Sequence, residues 1–174
     1  MLDKNDPPSH PATLTDEELL QQCSMRTGRK AGPGGQHRNK VETAVFIRHN
    51  ASGIEAHAFE RRSQIENRRK ALKRLRFALA VQLRYPVKTG DARSELWITR
   101  TRGGRISINP KHRDLPSLIA EAMDTIWACD LNIKKAAIRL CVTSSQLIKL
   151  LKLHPPALVA LNKARSESQK HEIH

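Results

Sequence analysis

An α+β fold is expected: a small sheet packed by one long basic helix, with an exposed Gly-Gly-Gln loop, followed by a small, mostly helical C-terminal module. Three observations predict it. Residues 41–49 and 54–59 alternate apolar and polar side chains around Asn50-Ala51-Ser52-Gly53, the pattern of an antiparallel hairpin. Ile65, Leu72, Leu75, Leu79 and Leu83 recur at near-helical spacing in a segment crowded with Arg and Lys. From Asp114 onward, helical patterning takes over to the end of the chain.

Element by element, residues 1–12, with Pro7-Pro8 and Pro11, read as a disordered leader. Thr15-x-x-Glu18 has capping-box spacing and predicts a short helix through Leu19-Leu20. A strand over residues 22–27 then delivers the chain into the glycine loop and the hairpin. Ser63-Gln64-Ile65-Glu66 is a second capping box, opening the long helix that Tyr85-Pro86 closes. Residues 13–86 are therefore assigned to one domain. Residues 87–113 are assigned to a linker with short strands at 95–101 and 105–109 around Arg102-Gly103-Gly104, where Arg100, Arg102 and Arg105 are candidates to hold phosphate.

Residues 114–174 make the helical module, with helices expected at 115–129, 133–140 and 147–153. The third follows the capping box Thr143-Ser144-Ser145-Gln146, and a last helix starts at Pro155-Pro156 and runs to about Ala164. Ala136-Ala137, Leu140, Val142, Ser145 and Leu147-Ile148 match a helix-turn-helix pattern loosely. Cys141 stands where such turns commonly carry glycine, so a packing or docking module is the plainer expectation.

The chain of 174 residues carries a formal charge of +14. Residues 26–105 hold 20 Lys/Arg against 6 Asp/Glu, so the whole excess lies there. A basic field confined to one segment points to polyphosphate and a salt-dependent affinity. Arg61, Arg62, Arg68, Arg69, Lys70, Lys73, Arg74 and Arg76 crowd the long helix with Glu66 as the only acid among them, which favours phosphate contact over a mixed solvated face. Cys23, Cys129 and Cys141 are odd in number and widely spaced, which suits buried thiols in a reducing compartment and fits neither a disulfide framework nor a zinc site. No apolar run reaches membrane-span length, and the acidic first 22 residues do not read as a signal or transit peptide, so a cytoplasmic location is expected.

The chemistry concentrates in Gly32-Pro33-Gly34-Gly35-Gln36-His37-Arg38-Asn39-Lys40. Glycine lets another molecule's backbone come close, and proline fixes the entry to the loop. Followed by the strand 41–49, the turn at Ala51-Ser52-Gly53-Ile54 and then Glu60-Arg61-Arg62-Ser63-Gln64 with Asn67, this order resembles the catalytic domain of peptide-chain release factors and their ribosome-rescue relatives over about residues 20–84. The resemblance implies hydrolysis of the peptidyl-tRNA ester on the ribosome, with Gly34, Gly35 and Gln36 as the catalytic tip. It implies RNA contacts from Arg38, Asn39, Lys40, Arg62, Ser63 and Gln64, and the basic charge around them adds Arg29, Lys30, His37, Arg68, Arg69 and Lys73 as RNA contacts. Large-subunit rRNA and peptidyl-tRNA are then the partners, no cofactor or metal is needed, and a monomer is expected.

Codon-reading members carry a further domain for which the chain has no room before the loop, so the codon-independent rescue type fits better. After Asn162 the basic residues are only Lys163, Arg165 and Lys170, unlike the long basic tail of many rescue hydrolases. Two other readings stay open. One is a non-catalytic RNA- or ribosome-binding protein that keeps the fold. The other is a helix-turn-helix DNA regulator acting through residues 132–153, against which residues 106–174 carry only +4.

Overall fold

The computed structural model describes residues 8–29 and 43–173. They form two compact units, one of residues 14–79 and one of residues 8–13 and 80–173.

In the first unit, helix α1 (Asp16–Gln21) starts at Thr15, whose hydroxyl accepts from Glu18 N while the Glu18 carboxylate accepts from Thr15 N. That is the reciprocal capping box the spacing predicts. Strand β1 (Cys23–Gly28) pairs antiparallel with β2 (Ala44–His49), which pairs antiparallel with β3 (Glu55–Ala58), giving the order β1-β2-β3. One sheet face is buried through Val45, Ile47, Ala56 and Ala58. The other face carries a row set by register, Arg26 opposite Phe46 and Phe46 opposite His57. The Arg26 guanidinium lies 4.0 Å from the Phe46 ring centre, a cation–π contact.

Helix α2 (Gln64–Gln82) is the long basic helix. Ser63 caps it, its hydroxyl accepting from Glu66 N at 3.4 Å. The buried stripe differs from the expected one at its start. Ile65 is 66% exposed, and the inward positions are Asn67, Ala71, Leu72, Leu75 and Leu79. The i, i+4 row that Leu75 and Leu79 define runs back through Ala71 to Asn67, and Ile65 falls off it.

In the second unit, the segment expected as a disordered leader is folded where it is described. Pro11–Thr13 form a 3-10 turn, His10, Pro11 and Ala12 are buried, and the Ser117 hydroxyl donates to the Ala12 carbonyl. The strand expected at 95–101 is helix α3 (Glu95–Arg100), capped by the Ser94 hydroxyl accepting from Trp97 N at 3.0 Å. Trp97 is fully buried and its indole N–H donates to the Leu140 carbonyl at 2.9 Å, so tertiary burial outweighs the β-like composition. Strand pairing is confined to β4 (Thr101–Arg102) and β5 (Arg105–Ile106), joined by Gly103 and Gly104 at φ 55° and 73°. Two successive positive φ values are what a tight hairpin of this type requires.

Helices α4 (Leu115–Ala128), α5 (Ile133–Arg139), α6 (Ser144–Lys152) and α7 (Pro155–Glu167) complete the unit. The last runs three residues past the expected end. Ile119, Met123, Ile126, Ala136, Leu140, Leu147, Leu150 and Leu161 are buried among them. The cysteines, expected to be buried, are not: Cys23 and Cys129 are half-buried and Cys141, in a turn between helices, is exposed. No helix among the described residues is long and apolar enough to cross a membrane.

A buried ion pair gives this unit a measurable pH dependence. Asp124 Oδ1 accepts from Arg84 Nη1 and from Tyr85 N, both at 3.1 Å. Burial pushes the Asp124 carboxyl up to about 6, against the opposing pull of the Tyr85 N–H and the Arg84 charge. Burial also raises Glu121. A carboxyl whose folded pKa lies above its unfolded one holds its proton more tightly when folded. Its contribution to stability is therefore complete below the unfolded value of 3.8 and is lost as the pH rises through about 6. Both tryptophans, Trp97 and Trp127, lie in this unit, so tryptophan fluorescence probes its unfolding. We expect the unfolding free energy from denaturant titrations to fall as the pH is raised through that window, by about 3 kcal/mol from Asp124. Asp124→Asn should flatten the dependence, and an equally steep curve for that variant would rule Asp124 out as its source.

Candidate functional site

The residues of the Gly-Gly-Gln tip, with Lys30, His37, Arg38, Asn39 and Lys40, lie outside the described residues, so the site is built from its base. Gly28 pairs with Ala44 at the last rung of the β1–β2 ladder. The segment that carries Gly34, Gly35 and Gln36 therefore leaves and rejoins the sheet at one end. Arg29, the last described residue before it, is exposed.

Thr43, the first described residue after the segment, is held by Asn67. The Asn67 Nδ2 donates to the Thr43 carbonyl at 2.6 Å and to the Arg61 carbonyl at 2.9 Å, while its Oδ1 accepts from Arg61 N at 2.9 Å. Asn67 itself is fully buried, and its backbone N–H donates to the Ser63 carbonyl at 3.1 Å. A side-chain amide can donate twice and accept at its oxygen, and Asn67 uses both functions. One buried side chain thus ties the exit of the glycine segment to the start of α2.

The start of α2 carries several of the expected RNA contacts. Arg62, Gln64, Arg68, Arg69 and Lys73 are exposed, and Ser63 is half-buried with its hydroxyl capping the helix. Arg62, Arg68 and Arg69 make no ion pair among the described residues. Two other cations of the helix are spent on structure. Arg74 pairs with Glu60 and donates to the His57 carbonyl at 2.7 Å. The Arg74 hydrogen bond holds the Glu60 carboxyl down at about 2. Arg76, mostly buried, donates to the Leu14 carbonyl and to Asp16 Oδ1 at 2.7 Å. The expected phosphate-facing set of eight cations is therefore smaller by these two.

Arg100, a candidate phosphate contact in the sequence, is likewise committed, its Nη2 donating to Asp114 Oδ2 at 2.6 Å. Arg102 and Arg105 remain exposed on the hairpin. No group of three or more His, Cys, Asp or Glu among the described residues could hold a metal ion.

Asn67 was noted in the sequence only as part of a motif, and its positioning task was missed. The signal was present: an Asn four residues before Ala71 and eight before Leu75 stands in the phase of the buried row.

The RF-1 domain family matches residues 17–111. Peptide chain release factor 1 of Chlorobaculum tepidum is 44% identical over 95 residues, 53% of this chain and 26% of that protein. The corresponding protein of Chloroherpeton thalassium is 44% identical over 75 residues, 43% of this chain and 20% of its own length. Peptide chain release factor 2 of Staphylococcus aureus is 49% identical over 56 residues, 32% of this chain and 15% of that protein. The chain thus spans about a quarter or less of the length of these curated relatives.

Proposed function

This chain belongs to the RF-1 domain family of peptide-chain release factors, and from that premise we propose that it hydrolyses the peptidyl-tRNA ester on the ribosome without reading a stop codon. The observation that carries the reading is the clamp at the base of the glycine segment. Asn67 holds Thr43, the first described residue after the glycine segment, against Arg61 at the start of α2.

The chemistry follows from what the tip contains and lacks. A glutamine amide neither takes nor gives a proton near neutral pH, and no serine or cysteine stands in residues 30–42 to act as a nucleophile. Gln36 therefore acts by position. Its side chain orients the attacking water, and its backbone N–H stabilises the oxyanion that forms on the ester carbonyl. One donor aimed at a developing oxyanion is worth roughly 2.7–4 kcal/mol. Holding water and ester in line removes a further entropic part of the barrier. Large-subunit rRNA and the tRNA supply the other groups, which makes the activity ribosome-dependent. Arg29, Lys30, His37, Arg38, Asn39, Lys40, Arg62, Arg68, Arg69 and Lys73 provide the contacts to RNA. Gln64 adds a neutral contact, and Ser63 braces the helix start.

Beyond the family match, residues 115–167 form helices α4–α7, to which the proposal assigns no codon-reading task. The test is peptide release from ribosomes loaded with peptidyl-tRNA, with a stop codon, a sense codon or no mRNA in the A site. Release is expected on ribosomes without A-site mRNA and should not depend on a stop codon. Binding without release would overturn the enzymatic reading, and release confined to stop codons would overturn the rescue reading.

A further inference from the structure

Helices α5 and α6 and the β4–β5 hairpin form a basic surface of the second unit, and we propose that it docks on double-helical RNA through the phosphate backbone. The proposal rests on the ribosomal reading above for the choice of RNA, and on the second unit alone for its geometry.

The arrangement is a helix-turn-helix. At the end of α5, Val142 N donates to the Ala137 carbonyl at 2.9 Å and Cys141 N to the Ile138 carbonyl at 3.0 Å, with Cys141 at φ 54°. That is the left-handed helix stop usually made with glycine, here reached by cysteine. The substitution that argued against this motif in the sequence therefore does not prevent its geometry. The Leu140 carbonyl in the turn is fixed by the Trp97 indole, and Thr143 caps α6 by accepting from Gln146 N at 3.2 Å. Helix α4 packs against both α5 and α6.

The hairpin is attached to the start of α6. Thr143 N donates to the Gly104 carbonyl at 3.3 Å, and Ile106 N donates to Gln146 Oε1 at 3.3 Å. These contacts join two segments that are distant in sequence and change the charge count. Residues 101–106 and 133–152 together hold seven Lys/Arg and no Asp/Glu, whereas residues 107–132 and 153–173 hold five against six. Arg139 donates to the Lys88 carbonyl. The other six, Arg102, Arg105, Lys134, Lys135, Lys149 and Lys152, are all exposed.

The chemistry favours backbone over bases. Bidentate readers of guanine and adenine are chiefly Arg, Asn and Gln. Helix α6 has no Arg or Asn, and the acceptor of its one Gln is engaged by Ile106 N. Lys149, Lys152, Arg102 and Arg105 supply point charges suited to phosphate. Such contacts position a protein on a duplex without reading its sequence.

The test uses the full chain and two fluorescently labelled duplexes of one mixed sequence, RNA and DNA. Affinity is measured over a salt series for wild type, for Lys149→Glu with Lys152→Glu, and for Arg102→Glu with Arg105→Glu. Each double reversal is expected to weaken RNA-duplex binding about tenfold or more and to reduce the slope of log affinity against log salt by roughly two. Lys149→Gln with Lys152→Gln should move both in the same direction by less, with the tryptophan unfolding transition unchanged. Gln36→Ala should leave duplex affinity at the wild-type value. A wild type that releases no peptide would sink the proposed hydrolysis while leaving this surface intact. Reversals that leave RNA affinity unchanged would overturn the docking proposal. So would reversals that weaken DNA binding as much as RNA binding.

Discussion

Gln36→Ala is expected to slow peptide release roughly 100-fold, the cost of a misplaced attacking water, while leaving ribosome affinity within about twofold of wild type. The split follows from the division of labour in the proposed site. Affinity comes from cations, which Gln36 is not, and is set by the number of phosphates neutralised. Rate comes from water placement and a donor aimed at charge that exists only in the transition state. The alanine variant keeps its backbone N–H, so the loss measures the side chain and the geometry it imposes. Single-turnover release at saturating protein reads the rate, and the concentration dependence of that rate reads affinity. If the alanine variant releases peptide at the wild-type rate, the catalytic assignment of Gln36 is wrong. Arg68→Glu with Arg69→Glu should show the converse pattern, weaker binding and a saturating rate close to wild type.

The sheet and the long helix were legible because their signals are local. Thr15 and Glu18 sit three residues apart, and a capping box needs nothing else. The hairpin 44–58 shows its period of two in the residues themselves, and Gly53, at φ 72°, turns it. Residues 95–101 failed for the opposite reason. Leu96, Trp97, Ile98 and Thr99 have strand composition, and only the packing of Trp97 under the Leu140 carbonyl, 43 residues on, decides for helix. Local propensity spans about 1 kcal/mol for strands, less than burying one tryptophan contributes.

The charge argument was limited in the same way. Counted along the chain, residues 106–174 look nearly balanced, and a nucleic-acid surface there looked unsupported. The hairpin at 101–106 folds onto α6, and once those neighbours are counted together the balance becomes wholly basic. Counts along α2 erred the other way, since Arg74 and Arg76 are spent on Glu60, Asp16 and backbone carbonyls. Charge in sequence sets how much is available, and pairing in three dimensions sets how much is left to attract a ligand.

Asn67→Leu is expected to destabilise the first unit by about 1–3 kcal/mol. The side chains are similar in size, so the change removes hydrogen bonds and little volume. Three backbone groups lose their partner: the Thr43 carbonyl, the Arg61 carbonyl and the Arg61 N–H. Each buried polar group left unpaired costs about 1–3 kcal/mol, partly recovered where water can enter. Asn67→Asp tests the polarity of the site. A carboxylate can still accept from Arg61 N, but it turns an oxygen toward two carbonyl oxygens where the amide donated, so its loss should be at least as large. The tryptophans both lie in the other unit, so the first unit needs a different probe. Far-UV circular dichroism and amide hydrogen exchange across residues 44–58 should show the loss. With Thr43 released from the helix start, peptide release should fall by more than ribosome affinity does. Unaltered exchange across residues 44–58 in Asn67→Leu would show that the clamp carries no part of the unit's stability.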